Sequence, residues 1–176
     1  MSGARRLSLL LLAPAGLLGA VPAAAQPSDL AVKAAFLTKF GAYVTWPHAP
    51  TGPLTLCVVG SDPFGAVLDQ AARGQVVDGR PLAVRRLAGP GGADGCQIAF
   101  VEGASPARTA EWLQALRGRP ILTVTDARAG LQRGMIFFVI DGGRVRFHID
   151  QASAQQSGLG LSSRLLAIAL SVRTAR

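Results

Sequence analysis

Apolar residues along this chain follow two periods, and the alternation between them predicts an α/β domain. Over Asp29–Tyr43, Leu30, Ala34, Leu37 and Gly41 recur at three- and four-residue intervals, with Val32, Phe36, Phe40 and Tyr43 beside them. That spacing predicts an amphipathic helix with Lys33 and Lys39 off its stripe. Trp46-Pro47 ends it, because a residue before proline is pushed away from helical geometry. Phe36, Phe40, Tyr43 and Trp46 are either core residues or an aromatic patch for a partner. Short apolar runs then follow at Leu54–Val59, Leu82–Leu87, Cys96–Val101 and Pro120–Thr125. Runs of that length bounded by turn residues predict strands, the most apolar of them buried on both faces.

The polar residues between the runs supply helix starts and turns. Asp62 as N-cap and Pro63 at the first helical position predict a helix over Pro63–Gln70. Ser105 and Pro106 repeat that arrangement for a helix to about Leu116, and Asp126 caps a short helical turn through Leu131. Asp78-Gly79 and the Gly89–Gly95 stretch are turn and loop. Asp141-Gly142 between Met135–Ile140 and Gly143–Ile149 is the strongest hairpin signal in the chain. The second arm sets Val145, Phe147 and Ile149 on one face and Arg144, Arg146 and His148 on the other. Asp150 caps a helix to about Ser157, with Gly158 as its C′ residue, and Ser162 caps a last amphipathic helix through Val172. The expected fold is a single α/β domain: a mostly parallel sheet, an antiparallel hairpin at one side, and helices on both faces.

Residues 1–25 stand outside that domain. Arg5-Arg6, the leucine-rich run Leu7–Ala20 and Ala23-Ala24-Ala25 before Gln26 form a signal peptide. The run is shorter than the roughly 20 residues a span needs, and Pro14, Gly16 and Gly19 interrupt it. Cleavage leaves residues 26–176 as the mature domain, and the alanine-rich leader points to the bacterial periplasm. The whole chain has 18 basic and 10 acidic residues. Removing Arg5 and Arg6 leaves 16 against 10, a charge of +6 carried almost entirely by arginine. These arginines are scattered and aromatics are not interleaved with them, which argues against nucleic acid. A solvated basic surface, an acidic protein partner or anionic lipid headgroups remain as readings.

Export and an even cysteine count predict a Cys57–Cys96 disulfide, given that the two runs carrying them are neighbouring strands. The pair is not Cys-x-x-Cys, so thioredoxin-like catalysis is not indicated. His48 and His148 have no ligand-spaced companions for a metal and no triad context for a serine hydrolase. No cofactor is expected. Gly60–Gly65, Gly-Ser-Asp-Pro-Phe-Gly, could offer backbone N–H groups to an anion, but it lacks both the P-loop ending and the dinucleotide spacing.

Taken in order, Val32-Lys-Ala-Ala-Phe-Leu37 with Val44-Thr-Trp-Pro47, Leu56-Cys-Val-Val-Gly60 with Asp62-Pro-Phe-Gly65, and Gly79-Arg-Pro-Leu82 form a recognisable series. Gly95-Cys-Gln-Ile98, Ile121-Leu-Thr-Val-Thr-Asp126, Gly134-Met-Ile136, Gly143-Arg-Val-Arg-Phe147 and Gly158-Leu-Gly-Leu-Ser-Ser163 with Leu165-Leu166 complete it. The mature chain resembles the YfiR family over nearly its whole length. The resemblance implies a periplasmic, non-enzymatic repressor, a homodimer, that binds the periplasmic sensor domain of an inner-membrane diguanylate cyclase. It would thereby control cyclic-di-GMP signalling and biofilm formation. It further implies an outer-membrane lipoprotein that withdraws the repressor, and a competence that depends on cysteine redox state. Cys57 and Cys96 match the family's recurring pair; the second pair of some members is absent. His148 stands where the family pattern has an acidic residue. Arg144, Arg146 and His148 are the candidate partner contacts. A periplasmic small-molecule module, using the cleft near Gly60–Gly65 at the carboxyl ends of the strands, is the alternative.

Overall fold

The computed structural model describes residues 28–48 and 51–175. The expected signal segment, residues 1–25, lies outside the described residues. The elements begin with helix α1 (Asp29–Phe40), which a 3-10 turn at Gly41–Tyr43 extends into the two-residue strand β1 (Val44–Thr45). Strand β2 (Leu54–Gly60), helix α2 (Ala66–Ala72), and strands β3 (Val76–Val77) and β4 (Arg80–Leu87) follow. Next come β5 (Ile98–Glu102), α3 (Pro106–Ala115) and β6 (Leu122–Asp126). The hairpin β7 (Ile136–Asp141) and β8 (Arg144–Asp150) leads to α4 (Gln151–Gln156), β9 (Gly160–Leu161), α5 (Ser163–Ile168) and β10 (Ser171–Arg173).

Eight strands form one sheet in the order β10-β8-β7-β6-β5-β2-β4-β3, and β1 pairs with β9 in a separate antiparallel ribbon. Strands β4, β2, β5, β6 and β7 are all parallel, and β8 turns back antiparallel on β7. The chain runs from β2 to β4 on one side of β2 and then to β5 on the other. This is a doubly wound order whose switch point lies between β2 and β5.

Period-two alternation sorts the strands' side chains onto two faces. One face sends Leu56, Val58, Ile98, Phe100, Leu122, Val124, Ile136, Phe138 and Phe147 into a dry core. There α1 contributes Ala34, Leu37 and Phe40, α2 Leu68, and α5 Leu165. Phe36, Phe40, Phe138 and Phe147 pack in stacked and edge-on pairs with centroids 5.3–6.3 Å apart. The aromatic run of α1 is therefore chiefly core. The second face carries Cys57, Val59, Ala99 and Val101 beneath Leu116 and Trp112. Helices thus cover both faces, although the second only in part.

Several local expectations are corrected. Lys33 lies on the buried face of α1, three residues after Leu30 and four before Leu37, and is only 4% exposed. The helix expected over Pro63–Gln70 begins at Ala66. Asp62 instead closes a side-chain turn, its Oδ1 accepting the N–H groups of Phe64 (2.8 Å) and Gly65 (3.0 Å). Cys96 precedes β5, which starts at Ile98. The hairpin turn is Gly142-Gly143, both at positive φ, because Asp141 is paired with Arg144. The last helix stops at Ile168 rather than Val172. The Leu170 N–H is captured by the Phe147 carbonyl at 2.8 Å, and Ser171–Arg173 then adds a parallel edge strand to β8. Sheet pairing there outcompetes one more helical turn.

The other starts stand as expected. Ser105, Asp126, Asp150 and Ser162 each accept a backbone N–H from the turn that follows. No helix among the described residues is long and apolar enough to cross a membrane.

Candidate functional site

Three regions bring chemically useful side chains together. The first is the switch-point crevice outside β2 and β5, where an α/β sheet of this order ordinarily takes a ligand. Here the space is filled. A side chain at Gly60 would meet Trp112 Cζ3 at 2.4 Å and the Glu102 carbonyl at 2.3 Å. The backbone donors of the following turn are also engaged. Ser61 N–H donates to the Glu102 carbonyl at 2.8 Å, and Asp62 takes those of Phe64 and Gly65. The second carboxylate oxygen of Asp62 receives Arg86 Nε at 2.7 Å, and Arg86 also reaches Asp69 on α2 at 3.0 Å. Burial alone would raise the Asp62 carboxyl. The hydrogen bonds from Arg86, Gly65 and Phe64 outweigh it and hold the group below its usual range. The turn is a brace between strand and helix, and its N–H groups are not free for an anion.

The second region lies beside the carboxyl end of β6. Lys33 Nζ donates to Asp126 Oδ2 at 2.8 Å with both side chains sealed from water. Arg128 bridges outward, with Nη2 on Glu102 at 2.7 Å and Nε 3.9 Å from Asp126. Burial pushes the Glu102 carboxyl up; Arg128 counters it and the nearby Asp126 adds to it. This network fastens α1 to the ends of β5 and β6. The sequence did carry a signal for it: Lys33 occupies an apolar-stripe position on its helix. The partner 93 residues away was not visible.

The third region is the helix-free part of the sheet's second face, on β7, β8 and β10. Register pairs Phe137 with His148, Val139 with Arg146 and Asp141 with Arg144. The three expected contact residues do share one face. Arg144 is exposed, and Arg146 and His148 are half-buried. His148 stacks on Phe137 at 6.4 Å between centroids, and its Nδ1 lies 2.6 Å from Ser171 Oγ on β10. Burial and the nearby Arg133 cation depress the His148 pKa, with Asp141 opposing, which favours the neutral ring. Arg133 covers Phe137, its guanidinium carbon 4.6 Å from the ring centroid. Sequence reasoning misses Ser171 as a neighbour of His148 because it falls in the helix expected through Val172, and Arg133 because it stands between predicted elements, before β7.

The two cysteines meet as expected. Cys57 and Cys96 are disulfide-bonded with Cα atoms 5.9 Å apart, under the helix α3 side of the second face. Both are buried. Among the described residues no cluster of histidine, cysteine and carboxylate could hold a metal ion.

The order of these elements matches a known family. A family model described as YfiR/HmsC-like covers residues 30–170, four-fifths of the chain. The chain belongs to the YfiR/HmsC-like family. No curated protein gives a significant match. Family membership carries a general role as a periplasmic regulator of cyclic-di-GMP signalling, in a family that regulates rather than catalyses. It also implies, in general terms, interaction with the periplasmic domain of a membrane diguanylate cyclase.

Proposed function

We propose that this protein represses an inner-membrane diguanylate cyclase by binding its periplasmic sensor domain in an inactive state. The observation that carries the reading is family membership over residues 30–170, joined to a strand face that carries exposed Arg144 and half-buried Arg146 and His148. Arg144, Arg146 and His148 project from that face and are the proposed contacts. Mechanistically the protein acts by population shift. Moving a two-state cyclase from 1:99 to 99:1 takes about 5.5 kcal/mol of differential affinity. An interface of standard size, roughly 1,600 Å², is large enough to supply it. The signal segment 1–25 is removed on export, the mature protein is a homodimer, and an outer-membrane lipoprotein withdraws it from the cyclase.

Deleting the gene should raise cellular cyclic-di-GMP and biofilm mass. Complementation with the natural chain should restore both. An Arg144→Glu/Arg146→Glu chain should be exported and folded but should fail to restore them. Unchanged cyclic-di-GMP in the deletion strain, with a cyclase of this type demonstrably expressed, would overturn the reading. The alternative of a small-molecule module at Gly60–Gly65 finds no support, because Trp112 and the Asp62 carboxylate occupy that crevice.

A further inference from the structure

We propose that the trough between the end of α3, the β6–β7 connection and strands β8 and β10 binds a phosphate group. The trough has a volume of about 330 Å³ and is lined by Arg117, Arg133, Arg173, His148, Ser171 and Asp150, among others. Three guanidinium groups face one carboxylate. That carboxylate is already engaged: Asp150 Oδ1 accepts the Ser153 N–H at 3.0 Å, and Oδ2 accepts Ser153 Oγ at 2.6 Å and the Arg173 guanidinium. Asp150 therefore compensates Arg173 only.

Arg117 and Arg133 make no ion pair among the described residues, whereas Arg108, Arg119 and Arg128 each hold a carboxylate. A second, smaller cavity of about 110 Å³ adjoins the first and shares Arg117, Arg133 and Ser153. The two uncompensated cations thus stand at the junction of both spaces. Two guanidinium groups without a carboxylate, Arg133 stacked on Phe137 with its N–H edge still able to donate, match the charge of a phosphate monoester, about −1.5 to −2 near neutral pH, and its oxygens can accept them bidentately. Ser171 adds a hydroxyl, 2.6 Å from His148 Nδ1, and the His148 ring stacked on Phe137 gives the trough a flat aromatic wall. A free phosphate monoester presents that charge, and an anionic phosphodiester headgroup presents the same acceptor oxygens with a single negative charge. This site is independent of the cyclase reading and would stand if that reading fell.

The test is calorimetric titration of the purified protein with inorganic phosphate at low ionic strength. Flotation with phosphatidylglycerol and with phosphatidylcholine vesicles runs beside it. Saturable phosphate binding is expected, weakened about tenfold or more in Arg133→Ala and in Arg117→Ala. It should be unchanged in Arg164→Ala, which removes an exposed arginine on α5. In the unsubstituted protein the His148 ring signals should shift along the same binding curve. Flotation that requires phosphatidylglycerol and is lost in Arg133→Ala, without binding of free phosphate, would identify a lipid headgroup as the source. Binding to neither, binding that survives Arg117→Ala/Arg133→Ala, or His148 signals that stay fixed would overturn the proposal.

Discussion

Strands β2 and β5 turn Cys57, Val59, Ala99 and Val101 toward α3, whereas β7 and β8 turn Phe137, Arg146 and His148 away from any helix on the same face. Where a helix lies across the sheet, polar chemistry is tied off internally: the thiols are joined to each other. Under α1 on the opposite face the same holds for Lys33, whose charge is spent on Asp126. Where no helix lies across, Arg133 holds no carboxylate among the described residues, and Phe137 is covered by side chains alone, the Arg133 guanidinium and the His148 ring. The covered region can carry stability and the open region can carry recognition, because a group already paired in the dry interior has nothing left to offer a partner.

Substitutions in the covered region should have the largest effects. Lys33→Ala removes the close partner of a buried carboxylate, leaving Asp126 only the Arg128 N–H at 3.0 Å and the Arg128 guanidinium at 3.9 Å, and should cost about 3 kcal/mol in denaturant unfolding. Exchanging both partners for apolar residues of similar size should recover most of that loss. A chain that tolerates Lys33→Ala without change would show that water reaches the pair. Removing the disulfide with Cys57→Ser/Cys96→Ser opens a loop with a sequence separation of 39 and should lower stability by up to about 4 kcal/mol. Gly60→Val forces Trp112 and the Glu102 backbone apart and sets a β-branched residue at φ 92°. A loss of about 1–3 kcal/mol is expected, with a change in Trp112 fluorescence as the local readout.

The open region should behave in the opposite way. Arg144→Glu/Arg146→Glu should leave the melting temperature within the range of about ±0.5 kcal/mol typical of surface changes, while abolishing repression in cells. A large loss of stability would place these residues with the covered half.

The smallest effects are those of pH, and the two regions differ in sign. Burial opposes ionisation of Asp150, but Arg173 and Ser153 outweigh it and hold the carboxyl below its ordinary 3.8. Its contribution is present above that value and is lost as pH falls through the lower folded pKa. Glu102 is raised above 4.5, chiefly by burial. It favours the folded state while protonated, and that contribution is lost as pH rises through its folded pKa. In melting curves against pH, Asp150→Asn should flatten the decline below pH 3.8, and Glu102→Gln should remove a loss that sets in above pH 4.5.

Much of this architecture was legible in the residues. The capping residues Ser105, Asp126, Asp150 and Ser162 work locally, through an oxygen two or three positions from the N–H it accepts. The hairpin and its alternation are equally local, and they place Arg144, Arg146 and His148 on one face, as the register of β7 and β8 does. Asp62 shows the limit of such reasoning. Its cap chemistry was visible, but Gly65 at φ 50° delays the helix to Ala66, and Arg86, from a strand not yet formed in sequence order, completes its bonding.

The sequence by itself determined the period of each element, the caps, the export-compatible cysteine pair and the family, because each depends on residues close together or on their order. Tertiary structure alone decided three things. It buried Lys33 against Asp126, drew Ser171–Arg173 out of the helix and onto β8, and gathered Arg117, Arg133 and Arg173 around His148. Each depends on contacts between segments tens of residues apart. There the free energy of pairing a strand or burying a charge exceeds the local preference of the residues involved, and no window along the chain contains both partners.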